Sequence, residues 1–98
     1  MEVKIALKVD DMDNVATIFA NDVLPGTPVQ VRDKAGNLDN LIVSEAIPYG
    51  HKIAVADIPR GAPIIKYGES IGAASCSISK GAYVHIHNLD AMRGRGDL

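Results

Sequence analysis

Gly81-Ala82-Tyr83-Val84-His85-Ile86-His87-Asn88-Leu89-Asp90 sets two of the chain's three histidines two residues apart inside an apolar, β-branched run. Such a run reads as a β-strand, entered by the turn at Lys80-Gly81. Successive side chains of a strand alternate faces, which sends His85 and His87 to one face with Cβ atoms roughly 6–7 Å apart, and Val84 and Ile86 to the other. Imidazoles so placed can ligate a metal, carry a proton near neutral pH, or donate to a carboxylate or hydroxyl. Asn88 adds an amide just beyond them. A paired histidine on a half-exposed strand is also an ordinary surface feature, so its chemistry depends on what else the chain brings to it.

Working outward, short strands and turns alternate along the whole chain. Residues 3–9 place Val3, Ile5, Leu7 and Val9 on one face and Lys4, Ala6 and Lys8 on the other, the pattern of a half-buried strand. Asp10, Asp11 and Asp13 read as a turn, since their spacing lacks the glycine and terminal glutamate of a calcium loop. The pattern leaves Val15-Ala16-Thr17-Ile18-Phe19 open between a strand and one helical turn. Strands are expected at Val29-Gln30-Val31, Leu41-Ile42-Val43, Ile53 to Ala56 and Ile64 to Tyr67, with a polar loop at Asp33 to Asn37. Gly68 and Gly72 bracket a further loop, followed by a strand over Ala73 to Ile78. The turns at Pro25-Gly26, Pro48-Tyr49-Gly50 and Pro59-Arg60-Gly61 recur before strands without composing a convincing repeat. A mostly β domain with short strands and long loops follows. Residues 1–91 form that domain in this reading, and residues 92–98, Gly-rich and basic, a flexible tail.

Composition narrows the function classes. A chain of 98 residues is one small domain, and without tryptophan and with one phenylalanine and three tyrosines its core must be aliphatic. A net charge of −2 and the lack of an aromatic stacking platform argue against nucleic acid and anionic membrane as partners. No apolar run approaches the roughly 18 residues of a membrane span. The lone Cys76 and a start without a signal-peptide pattern point to the reducing cytoplasm. Cys76 itself, among small residues and with no flanking cation, reads as a buried small hydrophobe rather than a nucleophile.

Three segments carry polar side chains at strand ends: Ile47-Pro48-Tyr49-Gly50-His51-Lys52, Ile65-Lys66-Tyr67-Gly68-Glu69 and Val84-His85-Ile86-His87-Asn88. If they converge, they gather His51, Lys52, Lys66, His85, His87 and Asn88 into a cationic-to-neutral cluster suited to a carboxylate or phosphate, or to a divalent metal through the imidazoles. No zinc-type ligand spacing is present, so a metal site would need ligands from elsewhere.

These segments, together with Asp13-Asn14-Val15-Ala16 and Ile71-Gly72-Ala73, resemble in order the SAF domain of the altronate and galactarate dehydratase family. The resemblance implies a β-clip fold. It also implies a place in an enzyme that dehydrates sugar acids to 2-keto-3-deoxy acids with a divalent metal, commonly iron(II). The family's large domain is missing here, so the chain resembles a small subunit, or an excised domain, that works with a larger catalytic subunit. The small subunit of sulfolactate sulfo-lyase looks similar, and SAF-type domains also occur as stand-alone binding modules; on that reading the chain is expected to be monomeric or self-associating and to bind a ligand without turnover. On the enzyme reading His51, His85 and His87 are the candidate catalytic residues, with His85 and His87 as metal ligands. Lys52, Lys66, Asn88, Arg93 and Arg95 are then the candidates for holding the sugar-acid substrate.

Overall fold

The computed structural model describes residues 3–91. Within them run nine strands and no helix: β1 (Lys4–Leu7), β2 (Val15–Ile18), β3 (Pro28–Arg32), β4 (Leu38–Ile42), β5 (Lys52–Ala54), β6 (Pro63–Lys66), β7 (Glu69–Ala74), β8 (Tyr83–Val84) and β9 (Leu89–Ala91). Six of them form one sheet in the order β4-β3-β1-β2-β5-β8, and β6-β7-β9 form the other. The mostly β reading holds, and Val15 to Ile18 resolves as strand.

A repeat organises these strands. Val23 to Val29, Ile47 to Ile53, Ile58 to Ile64 and Ile78 to Val84 each carry a buried aliphatic residue at the first and seventh positions and a glycine of positive φ at the fourth. Val23 bridges Ile47, and Ile58 bridges Ile78. The hydrogen bonds match as well. Gly26 N donates to Val43 O as Gly61 N does to Ala74 O, and Gly50 N donates to Ile18 O as Gly81 N does to Ala54 O. Val23 to Ala54 is therefore one ribbon, built on the β3–β4 hairpin, and Ile58 to His85 a second, built on the β6–β7 hairpin.

Each ribbon buries its own aliphatic cluster. Val23, Val29, Val43, Ile47 and Ile53 belong to one and their counterparts Ile58, Ile64, Ala74, Ile78 and Val84 to the other. Burying each such Val or Ile fully contributes roughly 1.5–3 kcal/mol over leaving it exposed. The turns recognised in the sequence are thus the visible part of a repeat that the sequence reading set aside. What repeats is one glycine and a few aliphatic positions, and the unequal hairpin loops put the copies out of step.

The hairpin of the second ribbon is held to the start of the chain by two adjacent side chains. Asp13, 5% exposed, accepts from the backbone N–H of Val9 (3.2 Å), Asp10 (3.0 Å) and Gly68 (2.8 Å). Asn14 accepts from Ile65 N at 2.8 Å, beside the register shift in the β6–β7 ladder, and donates to Pro63 O at 2.9 Å. The two-residue turn Tyr67-Gly68, with φ of 56° and 75°, reverses the chain between β6 and β7. Positive φ at both positions is the geometry that matches strand twist in so short a hairpin, and the bond from Gly68 N–H to Asp13 holds it.

Four sequence expectations are corrected. Strand β1 buries Ala6, while Val3 and Leu7 stand outward, because the register aligns Ala6 with the buried Ile18 and Val31 and the small side chain fits between them. Strand β7 runs through the region expected as a loop after Gly68, and Ser75 to Ser77 lie beyond it. Cys76 is exposed. The histidine segment is not one strand: β8 ends at Val84, residues 85–88 turn, and β9 begins at Leu89.

Candidate functional site

The ribbons meet where β5 pairs with β8. Lys52 lies opposite Val84 and Ile53 opposite Tyr83, so extending this antiparallel register by one residue sets His51 against His85. Their ring centroids are 5.1 Å apart. Tyr83 stacks on His85 at 5.5 Å with 10° between ring planes, and its centroid is 5.6 Å from those of His51 and His87. Three imidazoles thus surround one phenol, and Tyr83 Oη lies 2.7 Å from His51 Nδ1.

Asn88 has a structural task. Its side chain, 5% exposed, accepts from His85 N at 2.9 Å and donates to Tyr83 O at 2.8 Å. Asn88 N also donates to His85 O, so the amide closes the turn that interrupts the expected strand. His85 and His87 are accordingly brought together around Tyr83 by a turn rather than side by side along a strand.

Two lysines complete the cluster. Burial, and after it repulsion from Lys66, holds the Lys52 ammonium below its ordinary 10.5. Desolvation, followed by the charges of His51, Lys52 and His87, holds the His85 imidazole below 6.5. Lys66, the last residue of β6, extends over the Tyr67 ring with Nζ 4.9 Å from its centroid. No acidic group is among the causes of either shift, and the charges acting on both are positive. Arg93 and Arg95 lie outside the described residues.

The residues present do not complete a metal site by themselves. Among the described residues no three His, Cys, Asp or Glu side chains converge as ligands, and His51 Nδ1 is already engaged by Tyr83. A cleft of about 340 Å³ is lined by Asp22, Val23, Leu24, Ile47, Pro48 and Tyr83, so the tyrosine alone of the cluster faces it. A second cleft, of about 400 Å³, is lined by Lys8, Asp11, Asp33 and Asp39 and is too acidic to attract a carboxylate.

Sequence reasoning missed Tyr83 and Glu45. Tyr83 stands two residues before His85, so the alternation applied to the histidines already included it. Glu45 Oε2 accepts from Tyr83 N at 2.8 Å, across 38 positions of chain, and carried no local signal.

Comparison with known proteins assigns the chain to a family. Residues 4–92 match the family model of the altronate/galactarate dehydratase SAF domain, and the chain belongs to that family. It is 40% identical over 82 residues to altronate dehydratase of Escherichia coli (strain K12), a match covering 84% of this chain and 15% of that protein. With galactarate dehydratase (L-threo-forming) of the same organism it shares 42% identity over 80 residues, 80% of this chain and 14% of the relative. The (2R)-sulfolactate sulfo-lyase subunit alpha of Chromohalobacter salexigens is 43% identical over 51 residues, 52% of this chain and 54% of that one. The chain thus spans about one seventh of the length of the two dehydratases.

Proposed function

We propose that this chain is the small subunit or N-terminal domain of a sugar-acid dehydratase, and that the cluster at the ribbon junction receives a carboxylate of the substrate. The observation that carries the reading is the convergence of His51, Lys52 and His85 across the β5–β8 pairing, with Lys66 close enough to repel the Lys52 ammonium. Removing the proton α to a carboxylate leaves a dianionic enediolate. Expulsion of the β-hydroxyl, protonated to water, and tautomerisation of the enol then give the 2-keto-3-deoxy acid. Cationic and N–H groups beside the carboxylate stabilise the charge as it develops. Lys52 and Lys66 supply fixed positive charge, and the imidazoles supply hydrogen-bond donors or proton carriers. A divalent metal such as iron(II) would add Lewis-acid stabilisation, held by His85 or His87 only with ligands from outside the described residues.

The larger catalytic chain is part of this proposal. Val3, Leu7, Phe19, Leu38 and Ile42 are exposed along or beside the six-stranded sheet, and Ile86, 82% exposed, stands at the tip of the histidine turn. Apolar surface of this extent is suited to a partner. The match to a sulfo-lyase subunit alpha, itself one of several chains by its name, supports a second reading. In that reading the chain is the small subunit of an enzyme eliminating sulfite from a sulfonated hydroxy acid.

The test is a tagged pull-down from native extract, followed by assay of the recovered complex with altronate, galactarate and sulfolactate. A larger co-purifying chain and turnover of a sugar acid are expected, and turnover of sulfolactate alone would select the second reading. A chain recovered without partner, with no turnover of any of the three acids, would overturn both in favour of a binding module. In the active complex, His87→Ala should abolish turnover, and retained activity would remove His87 from the site.

A further inference from the structure

We propose that Tyr83 is a positioning residue that sets the hydrogen on His51, presenting Nε2–H to the ligand and making His51 a reader of oxyanions rather than a metal ligand. Tyr83 is anchored at three points. Its N–H donates to Glu45 Oε2 at 2.8 Å, its C=O accepts from Asn88 Nδ2 at 2.8 Å, and its ring lies flat on His85. Opposite it across the ladder is Ile53, which is fully buried. The phenol oxygen is thereby placed 2.7 Å from His51 Nδ1, within hydrogen-bond range.

The assignment of roles follows from counting hydrogens. A neutral imidazole has one donor and one acceptor nitrogen, while a phenol has a single O–H that seeks an acceptor. With Tyr83 donating to Nδ1, the His51 hydrogen must sit on Nε2. One imidazole nitrogen is then filled by the phenol and the other carries a hydrogen, so neither offers a free lone pair to a metal ion. Nε2–H is instead a donor to a carboxylate or enediolate oxygen, alongside the Lys52 charge. Metal binding at Nε2 would require the pair to reverse, with Nδ1–H donating to Oη.

The functional meaning of this arrangement rests on the proposed site, whereas the tautomer does not, so the two fail separately. The experiment is ¹⁵N NMR of the His51 ring in the 98-residue chain at a pH where all three imidazoles are neutral, comparing wild type with Tyr83→Phe. In wild type the two ring nitrogens should separate fully into a protonated Nε2 and a bare Nδ1. In Tyr83→Phe, which keeps the stacked ring and should keep the backbone amide spectrum, the two resonances should move toward each other as the tautomers mix. A wild-type Nδ1–H tautomer, or ring shifts unchanged by Tyr83→Phe, would overturn the proposal. If the phenylalanine variant does not fold, the wild-type chain decides through a ¹H–¹⁵N correlation across the hydrogen bond: one from the Tyr83 hydroxyl hydrogen to His51 Nδ1 is expected, and a hydrogen bonded covalently to Nδ1, or a hydroxyl with no correlation to it, would overturn the proposal.

Discussion

The two ribbons share a backbone and differ in what they hang on it. At the end of the first stand Gly50-His51-Lys52-Ile53-Ala54, and at the end of the second Gly81-Ala82-Tyr83-Val84-His85. Superposed by their hydrogen bonds, Gly50 matches Gly81 and Ile53 matches Val84, while His51 stands where the second ribbon has Ala82, Lys52 where it has Tyr83, and Ala54 where it has His85. Glycine and aliphatic positions hold the frame, and the positions between them are free to carry chemistry. The candidate site arises because the two unlike ends are laid antiparallel against each other.

The frame glycines themselves are not equivalent, and replacing each by alanine should give the largest contrast. A Cβ at Gly81 would come within 2.4 Å of Ile42 O, at a φ of +94°, whereas one at Gly50, at +83°, would meet nothing within 4 Å. Gly81→Ala carries the conformational strain and a backbone clash, and should cost on the order of 3 kcal/mol or more; Gly50→Ala carries strain alone, about 1–2 kcal/mol. Urea unfolding of the two variants measures the difference. Equal losses would mean that the turns are interchangeable and the comparison empty.

Next comes the contrast between the hairpins. Asp13 is buried and supports the tight turn of the second, while Asp33, on the surface, caps its own loop in the first by accepting from Asn37 N at 2.8 Å. Asp13→Ala strands several inward N–H groups and should cost about 2–3 kcal/mol. Burial raises the Asp13 carboxyl, but the N–H groups of Gly68, Asp10, Tyr67 and Val9 together outweigh it and hold the group below its ordinary 3.8. The unfolded chain therefore takes up this proton first as pH falls. The stabilisation is full above about pH 4 and is lost as pH drops through the lower folded value. Asp13→Asn should flatten that part of the acid-denaturation curve, while Asp33→Asn should leave the thermal midpoint close to wild type.

The smallest effect separates Lys52 from the position it shares with Tyr83. Burial and Lys66 lower the Lys52 pKa, so the charged form is disfavoured in the fold and the residue lowers stability at neutral pH. Lys52→Met should raise the thermal midpoint by a few degrees and, if the proposed function holds, weaken binding of the substrate by the complex, the trade expected where a residue serves a site. A lowered midpoint would show that Lys52 belongs to the frame.

What the sequence made legible follows the same division. The short strands, the aliphatic core and the polar strand ends that carry His51, Lys52, Lys66 and His85 could be read because each depends on local alternation or on turn residues with strong preferences, whereas whether those ends meet is decided by pairing across the sheet. Which face of β1 is buried could not, since Ala6 is chosen by Ile18 and Val31 across the sheet rather than by its own hydrophobicity. Asn88 read as a ligand-binding amide because its capping bonds exist only once the chain turns, and an apolar, β-branched run gives no warning of that turn. Tyr83 shares the alternation of His85 and His87, but nothing local marks its hydroxyl, whose partner lies 32 positions away.

The central claim, that the ribbon junction is where the assembled enzyme meets its substrate, is tested most directly by kcat and KM of the complex carrying His51→Ala, with the amide spectrum of the small chain confirming its fold. A loss of kcat/KM of at least about 100-fold, the scale of a missing proton carrier or charge-stabilising donor, is predicted. Activity within about twofold of wild type, well under the 1.4 kcal/mol that a tenfold change represents, would contradict it.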